Sequence, residues 1–167
     1  MRKACFNRTF GFAVLSLLLG TSICFTQEEK ITLSQLTLRS EVVVIGKVLS
    51  VHSSWNPART KIHTLTDIAI QEQLKGTVPQ TTLTVLTLGG EVDGIGESYS
   101  HMAKFTHDEH VVVFASRDKS GQYRTTAGDH GKFTVKEDAG TKMIAETISL
   151  DQLRSTVRQT VRKGSDK

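Results

Sequence analysis

The chain has 167 residues, with 21 Lys+Arg against 17 Asp+Glu, two cysteines and one tryptophan. Three of the positive charges, Arg2, Lys3 and Arg8, and both cysteines, Cys5 and Cys24, lie in the first 26 residues, so the remainder is near neutral at 18 against 17 and free of cysteine. That balance argues against a nucleic-acid binder, which needs a dense positive footprint, and it excludes an internal disulfide framework in the body of the chain.

The basic start is followed by the apolar run Phe10 to Leu19 and by Gly20-Thr21-Ser22. A basic segment, an apolar segment and a small-residue zone make an export signal. The run from Phe10 to Phe25, interrupted by Ser16, Thr21 and Ser22, falls short of the roughly 17 to 25 apolar residues of a membrane span. The expectation is a cleaved signal over residues 1–26, cut after Ser22, Cys24 or Thr26, with no stable transmembrane span after processing. The mature protein is then periplasmic or extracellular. Residues 27–162 are expected to form one domain, a size that buries most of its apolar surface, and 163–167 a frayed tail.

Thr32-Leu33-Ser34-Gln35 has the form of a capping box and predicts a short helix to about Leu38. Glu41 to Val51 is β-branched and apolar on both faces at its start, as a buried strand is, with Gly46 marking a bend or bulge. From Lys61 to Leu74 apolar residues fall on even positions, Ile62, Ile68, Ile70 and Leu74, opposite Lys61, His63, Asp67, Gln71 and Gln73. This alternation predicts a long half-buried strand with His63 on its exposed face. Lys75 to Pro79 reads as a turn and Thr82 to Leu88 as a third strand. Gly89-Gly90 opens an irregular connection to about Glu109, long enough to suggest a functional loop or lid. Further strands are expected at His110–Ala115, Gln122–Thr126 and Lys132–Lys136, with Met143–Ala145 pairing at an edge. Ser149-Leu150-Asp151-Gln152 repeats the capping pattern, and Leu150, Leu153, Val157 and Val161 form the apolar stripe of a closing helix.

Short strands with local connections, no βαβ alternation and a helix at either end predict a mainly β fold. The specific expectation is a small antiparallel curled sheet or OB-like barrel of five or six strands, with a sandwich as the alternative.

The order Ser40 to Val48, Trp55, a strand closing on Leu74-Lys75-Gly76, Gly89-Gly90, Val112-Val113-Phe114 and Gly131-Lys132-Phe133 resembles a family of small exported bacterial proteins of unassigned activity. Their barrel is similar to that of tissue inhibitors of metalloproteases and netrin modules. The resemblance, over about Leu33 to Val135, implies a barrel in which Gly46, Lys75-Gly76 and Gly89-Gly90 are architectural. In the inhibitors an amino-terminal cysteine of a Cys-x-Cys segment meets the catalytic zinc, whereas here Cys24 is followed by Phe25-Thr26.

Three constellations carry possible chemistry. Trp55 and Asn56, in the connection after the first strand, and Glu91, Asp93 and Tyr99, in the glycine-rich connection, are the expected partner-binding set. An aromatic ring in the first connection is a platform for a sugar or a base, or a plug for the barrel end. His101, His107 and His110 lie close together beside Asp93, Asp108 and Glu109, ligand types for a transition metal such as zinc, although their spacing matches no metal signature. Arg154, Arg158 and Arg162 form an i, i+4, i+8 stripe, read as a solvated face or a contact for an acidic partner. Gly94-x-Gly96 lacks the third glycine and the helix of a phosphate site, and Gly128 to Lys132 reads as a turn. No complete catalytic set is visible and no cofactor is expected. The functional expectation is a non-enzymatic module binding an extracytoplasmic protein or glycan and no nucleic acid; the alternatives are a metal-binding protein using the loop histidines and a protease-inhibitor-like module.

Overall fold

The computed structural model describes residues 31–138, 140–145 and 148–165. The expected signal segment, with Cys5 and Cys24, lies outside the described residues. Among the described residues no helix is long and apolar enough to cross a membrane.

Helix α1 spans Leu33–Arg39 and starts at the expected cap: Gln35 N donates to Thr32 Oγ1 at 3.2 Å and Thr32 N donates to Gln35 Oε1 at 2.8 Å. Its C-terminal end is held from outside, because Lys75 Nζ donates to the carbonyls of Thr37 and Ser40, each at 2.6 Å. A cation at the end where helix carbonyls lack partners satisfies both the hydrogen bonds and the dipole.

Strands β1 (Val42–Trp55), β2 (Ile62–Lys75) and β3 (Thr82–Leu88) form an antiparallel meander. After β4 (Gly90–Val92) and β5 (Ile95–Glu97) come β6 (His110–Arg117), β7 (Tyr123–Thr125) and β8 (Lys132–Thr134). Pairing runs β1-β2-β3-β7-β6 and returns from β6 to β1, so five strands close into a barrel and β8 lies outside it against β6. Closure decides for a barrel over the sandwich. One detail departs from the expected antiparallel order: β3 and β7 are parallel. The reason is parity, since an odd number of strands cannot alternate direction all the way round a ring.

The core is double because β1 is covered on both faces. Val42, Val44 and Val48 point into the barrel with Ile68, Leu83, Val85, Val111 and Val113. Val43 and Ile45 point outward and pack with Val112, Phe114, Leu36, Leu153 and Val157 beneath the helices. At Gly46 the walls pinch, for a Cβ there would lie 2.3 Å from the carbonyl oxygen of Ala69, beside a register shift between Ile45 and Gly46. The closing helix α2 (Leu150–Ser165) has Gln152 N donating to Ser149 Oγ at 3.2 Å, and it continues through Ser165. Its arginine stripe is anchored in part: Arg154 and Arg158 both pair with Glu72 of β2, at 2.9 and 3.2 Å.

Two segments differ from their sequence reading. The glycine-rich connection is not structureless, because β4 and β5 pair as a hairpin across Asp93-Gly94, both with positive φ (52° and 77°). Asp-Gly with that backbone is a tight hairpin turn whose twist matches the flanking strands. The strand expected over Lys132–Lys136 is divided at Val135, whose N–H donates to the carbonyl of His110. The second part, β9 (Lys136–Asp138), joins β10 (Thr141–Ala145) and β11 (Ile148–Ser149) in a separate three-stranded sheet.

Candidate functional site

Strands β1 and β2 are longer than the barrel needs. Strand β6 leaves β1 at the Lys47–His110 pair and β7 meets β3 only at Val85, yet β1 and β2 stay paired out to Trp55 and Ile62. The inner face of β1, β2 and β3 therefore runs on past the ring. The β4–β5 hairpin and the segment from Ser98 to Phe105 face it, enclosing a cleft of about 540 Å³. That size lies within the roughly 300–1,000 Å³ of small-molecule sites.

Ser53, Thr64, Thr66 and Thr87, with Val51 and Leu88, make the part of the cleft contributed by β1, β2 and β3. Thr64 and Thr66 occupy even, inward positions of β2, where the barrel proper carries Ile68, and both are buried. Thr64 Oγ1 donates to the carbonyl of Gly89 at 2.6 Å and lies 2.9 Å from Ser53 Oγ. A hydroxyl has one proton, and Thr64 gives its proton to Gly89, so Ser53 must be the donor between the two. Thr66 Oγ1, fully buried, has no hydrogen-bond partner among the described residues. Gly90 keeps the hairpin close to this network: a Cβ there would come within 2.3 Å of Ser53 Oγ and 2.4 Å of Thr64 Oγ1, at a φ of +129°.

On the hairpin side, Glu97 Oε2 accepts from the N–H of Ile62 at 3.0 Å and from the hydroxyl of Tyr99 at 3.1 Å. One carboxylate thus ties the hairpin to β2 and fixes the Tyr99 ring at the cleft. Desolvation, together with the hydrogen bond and charge of Glu97, raises the pKa of Tyr99, so its phenol stays protonated as a donor. Glu91, Met102, Lys104 and Phe105 also line the cleft.

The expected partner-binding set is divided by the structure. Glu91 and Tyr99 line the cleft. Asp93 sits exposed at the hairpin tip, and Trp55 is half-buried at the far end of the β1–β2 ribbon, outside the cleft lining and outside both core clusters. Asn56 organises the turn: its Oδ1 accepts from the N–H groups of Thr60 and Lys61 at 2.7 and 3.2 Å. Ser53, Thr64, Thr66 and Glu97 were not among the expected residues. The available signal was the pair of threonines on the inward face of an otherwise apolar alternation.

The three histidines do not converge. His101 is exposed with φ +61° and offers its backbone carbonyl to Asp129 N. His107 lies 3.2 Å from Asp108 at the surface. His110 Nε2 donates to Gln71 Oε1; burial, then the charges of Lys142 and Lys47, lower its pKa. Among the described residues no group of three or more His, Cys, Asp or Glu side chains could hold a metal ion. His63, expected on an exposed face, is half-buried. Beside these, Glu109 is engaged in a half-buried web. Burial opposes its ionisation, but hydrogen bonds from Lys132, Thr134 and Thr106 N outweigh that and hold its carboxyl below the usual range.

Comparison of the chain with protein-family models and with curated proteins returns no match, so its function is read from the cleft and the barrel that carries it.

Proposed function

We propose that the chain is an exported, non-enzymatic binding module of the cell envelope or extracellular space, and that the cleft beside the barrel takes its partner. The observation that carries the reading is Thr66, which lines a cleft built on paired strands and whose buried hydroxyl has no partner among the described residues. A buried polar group without a partner costs roughly 1–3 kcal/mol, a cost that a binding site recovers when ligand arrives. The five-strand ring and the Lys75 anchor favour kinship with the barrel of the metalloprotease inhibitors and netrin modules. Inhibition through Cys24 rests on residues outside those described.

Gly96 provides the test. It borders the cleft, its φ is ordinary for any residue, and a Cβ built on it meets nothing within 4 Å. Gly96→Leu therefore adds a bulky side chain to the hairpin wall of the cleft without a backbone clash. Affinity capture from envelope extract, quantified for wild type and Gly96→Leu side by side, should show a partner lost by at least tenfold in the variant at unchanged melting temperature. A partner captured equally by both places the site elsewhere. Amino-terminal sequencing of the same material checks export, because an uncut chain starting at Met1 contradicts it.

A further inference from the structure

Resting on that reading, we infer that the ligand is a neutral, hydroxyl-rich molecule, a short oligosaccharide, held by the hydroxyls of β1 and β2 and by Glu97 and Tyr99.

Hydrogen-bond bookkeeping sets the ligand's character. Ser53 spends its proton on Thr64, so its remaining capacity is to accept. Glu97 is an acceptor whose two bonds both fall on Oε2, so Oε1 has no partner among the described residues. Glu91, exposed at the rim, is an acceptor as well. A ligand must bring donors to this cleft. Thr66 Oγ1 can both donate and accept, and a ligand hydroxyl answers either need.

Charge excludes the acidic classes. Glu91 and Glu97 stand against Lys104 alone among the charged lining residues, so phosphates, sulfates and uronates meet net repulsion. The ring of Tyr99 supplies an apolar face of the kind on which a flat ring face packs, beside Phe105, whose ring packs on the barrel core under the Lys132 ammonium. Donor-rich edges with an apolar face describe a neutral sugar. An extended peptide instead brings one backbone donor per residue and matches a run of strand edge, a different geometry from a pocket of side-chain hydroxyls.

The experiment titrates the protein, as its expressing cell processes it, with three probes followed by amide chemical shifts. The probes are a set of neutral trisaccharides of differing linkage, trigalacturonate as the anionic sugar, and spermidine as the polycation. A neutral trisaccharide should shift the amides of Thr64, Thr66, Gly90 and Tyr99, bind at least tenfold tighter than trigalacturonate, and lose at least tenfold in Thr66→Val and in Gly96→Leu. Cleft shifts caused by trigalacturonate or spermidine but by no neutral sugar overturn the sugar assignment and leave the binding cleft standing. Silence from every probe, with capture still abolished by Gly96→Leu, overturns the sugar alone. Capture indifferent to Gly96→Leu overturns the cleft itself.

Discussion

Thr66 carries a stability cost that the proposed binding cleft accounts for. Its neighbours along the inward face of β2 are Thr64, which finds Gly89, and Ile68, which has nothing polar to satisfy; Thr66 buries an oxygen that finds no partner among the described residues. Thr66→Val keeps the branched shape and removes that oxygen, so it should stabilise the fold by about 1 kcal/mol. Urea unfolding checks this through a higher midpoint at unchanged slope; a lower midpoint would mean that the hydroxyl has a partner and would remove the ground for the cleft. The expected partner-binding residues, Trp55, Asn56, Glu91, Asp93 and Tyr99, are aromatic, amide and acidic side chains in connections. That set includes Glu91 and Tyr99 of the cleft lining and leaves out Thr64 and Thr66, because a threonine within an alternating strand reads equally as a strand former and as a site hydroxyl. Which face of the strand bordered a cleft depended on segments 20 to 40 residues away in sequence.

Among the elements, the two capped helices and the long strands were the most legible, since each carries its pattern within a few residues. The capping box at Thr32 appears as expected, and β3 spans Thr82–Leu88 as read. The hairpin at Asp93-Gly94 was equally local, an Asp-Gly pair between Glu91-Val92 and Ile95, yet the density of glycines around it suggested disorder of form where a turn of defined type exists. The far end of β1 was less accessible, because Ser50 to Trp55 lacks an apolar alternation and is a strand only through its partner β2. The attachment of α1 depends on a similar distant contact. Lys75 bonds two carbonyls at the helix end, and burial lowers its pKa, so part of what the bonds contribute is offset by desolvating the ammonium. Lys75→Met should cost about 2 kcal/mol, the scale of hydrogen bonds to a charged group, and should raise amide exchange in Ser34–Arg39 more than in β6. Equal exchange in both places would show that α1 does not depend on this anchor.

For the whole molecule, the two cores share the wall formed by β1 and β6, so helix packing and barrel packing cannot be lost independently. Leu153 of α2 is fully buried against the outward residues of that wall. Leu153→Ala should cost about 2–5 kcal/mol, a large part of the roughly 5–15 kcal/mol that holds a domain. Unfolding followed by far-ultraviolet dichroism and by Trp55 fluorescence should then shift as one transition; separate midpoints would show α2 detaching alone. The apolar stretches of the long strands, the capped helix starts, the double-sided burial of Val42 to Ile45 and the small mainly β class were determined by the residues themselves, because periodicity and capping act over a single turn or pleat. Closure of the ring was decided only in three dimensions. It requires the return of β6 to β1 and one parallel pair to reconcile five strands, and neither leaves a trace in local pattern. The cleft belongs to the same level: hydroxyl-bearing residues of β1 and β2, a carboxylate of β5 and a tyrosine two residues beyond it line one cleft only when the hairpin folds back over the open end of the meander.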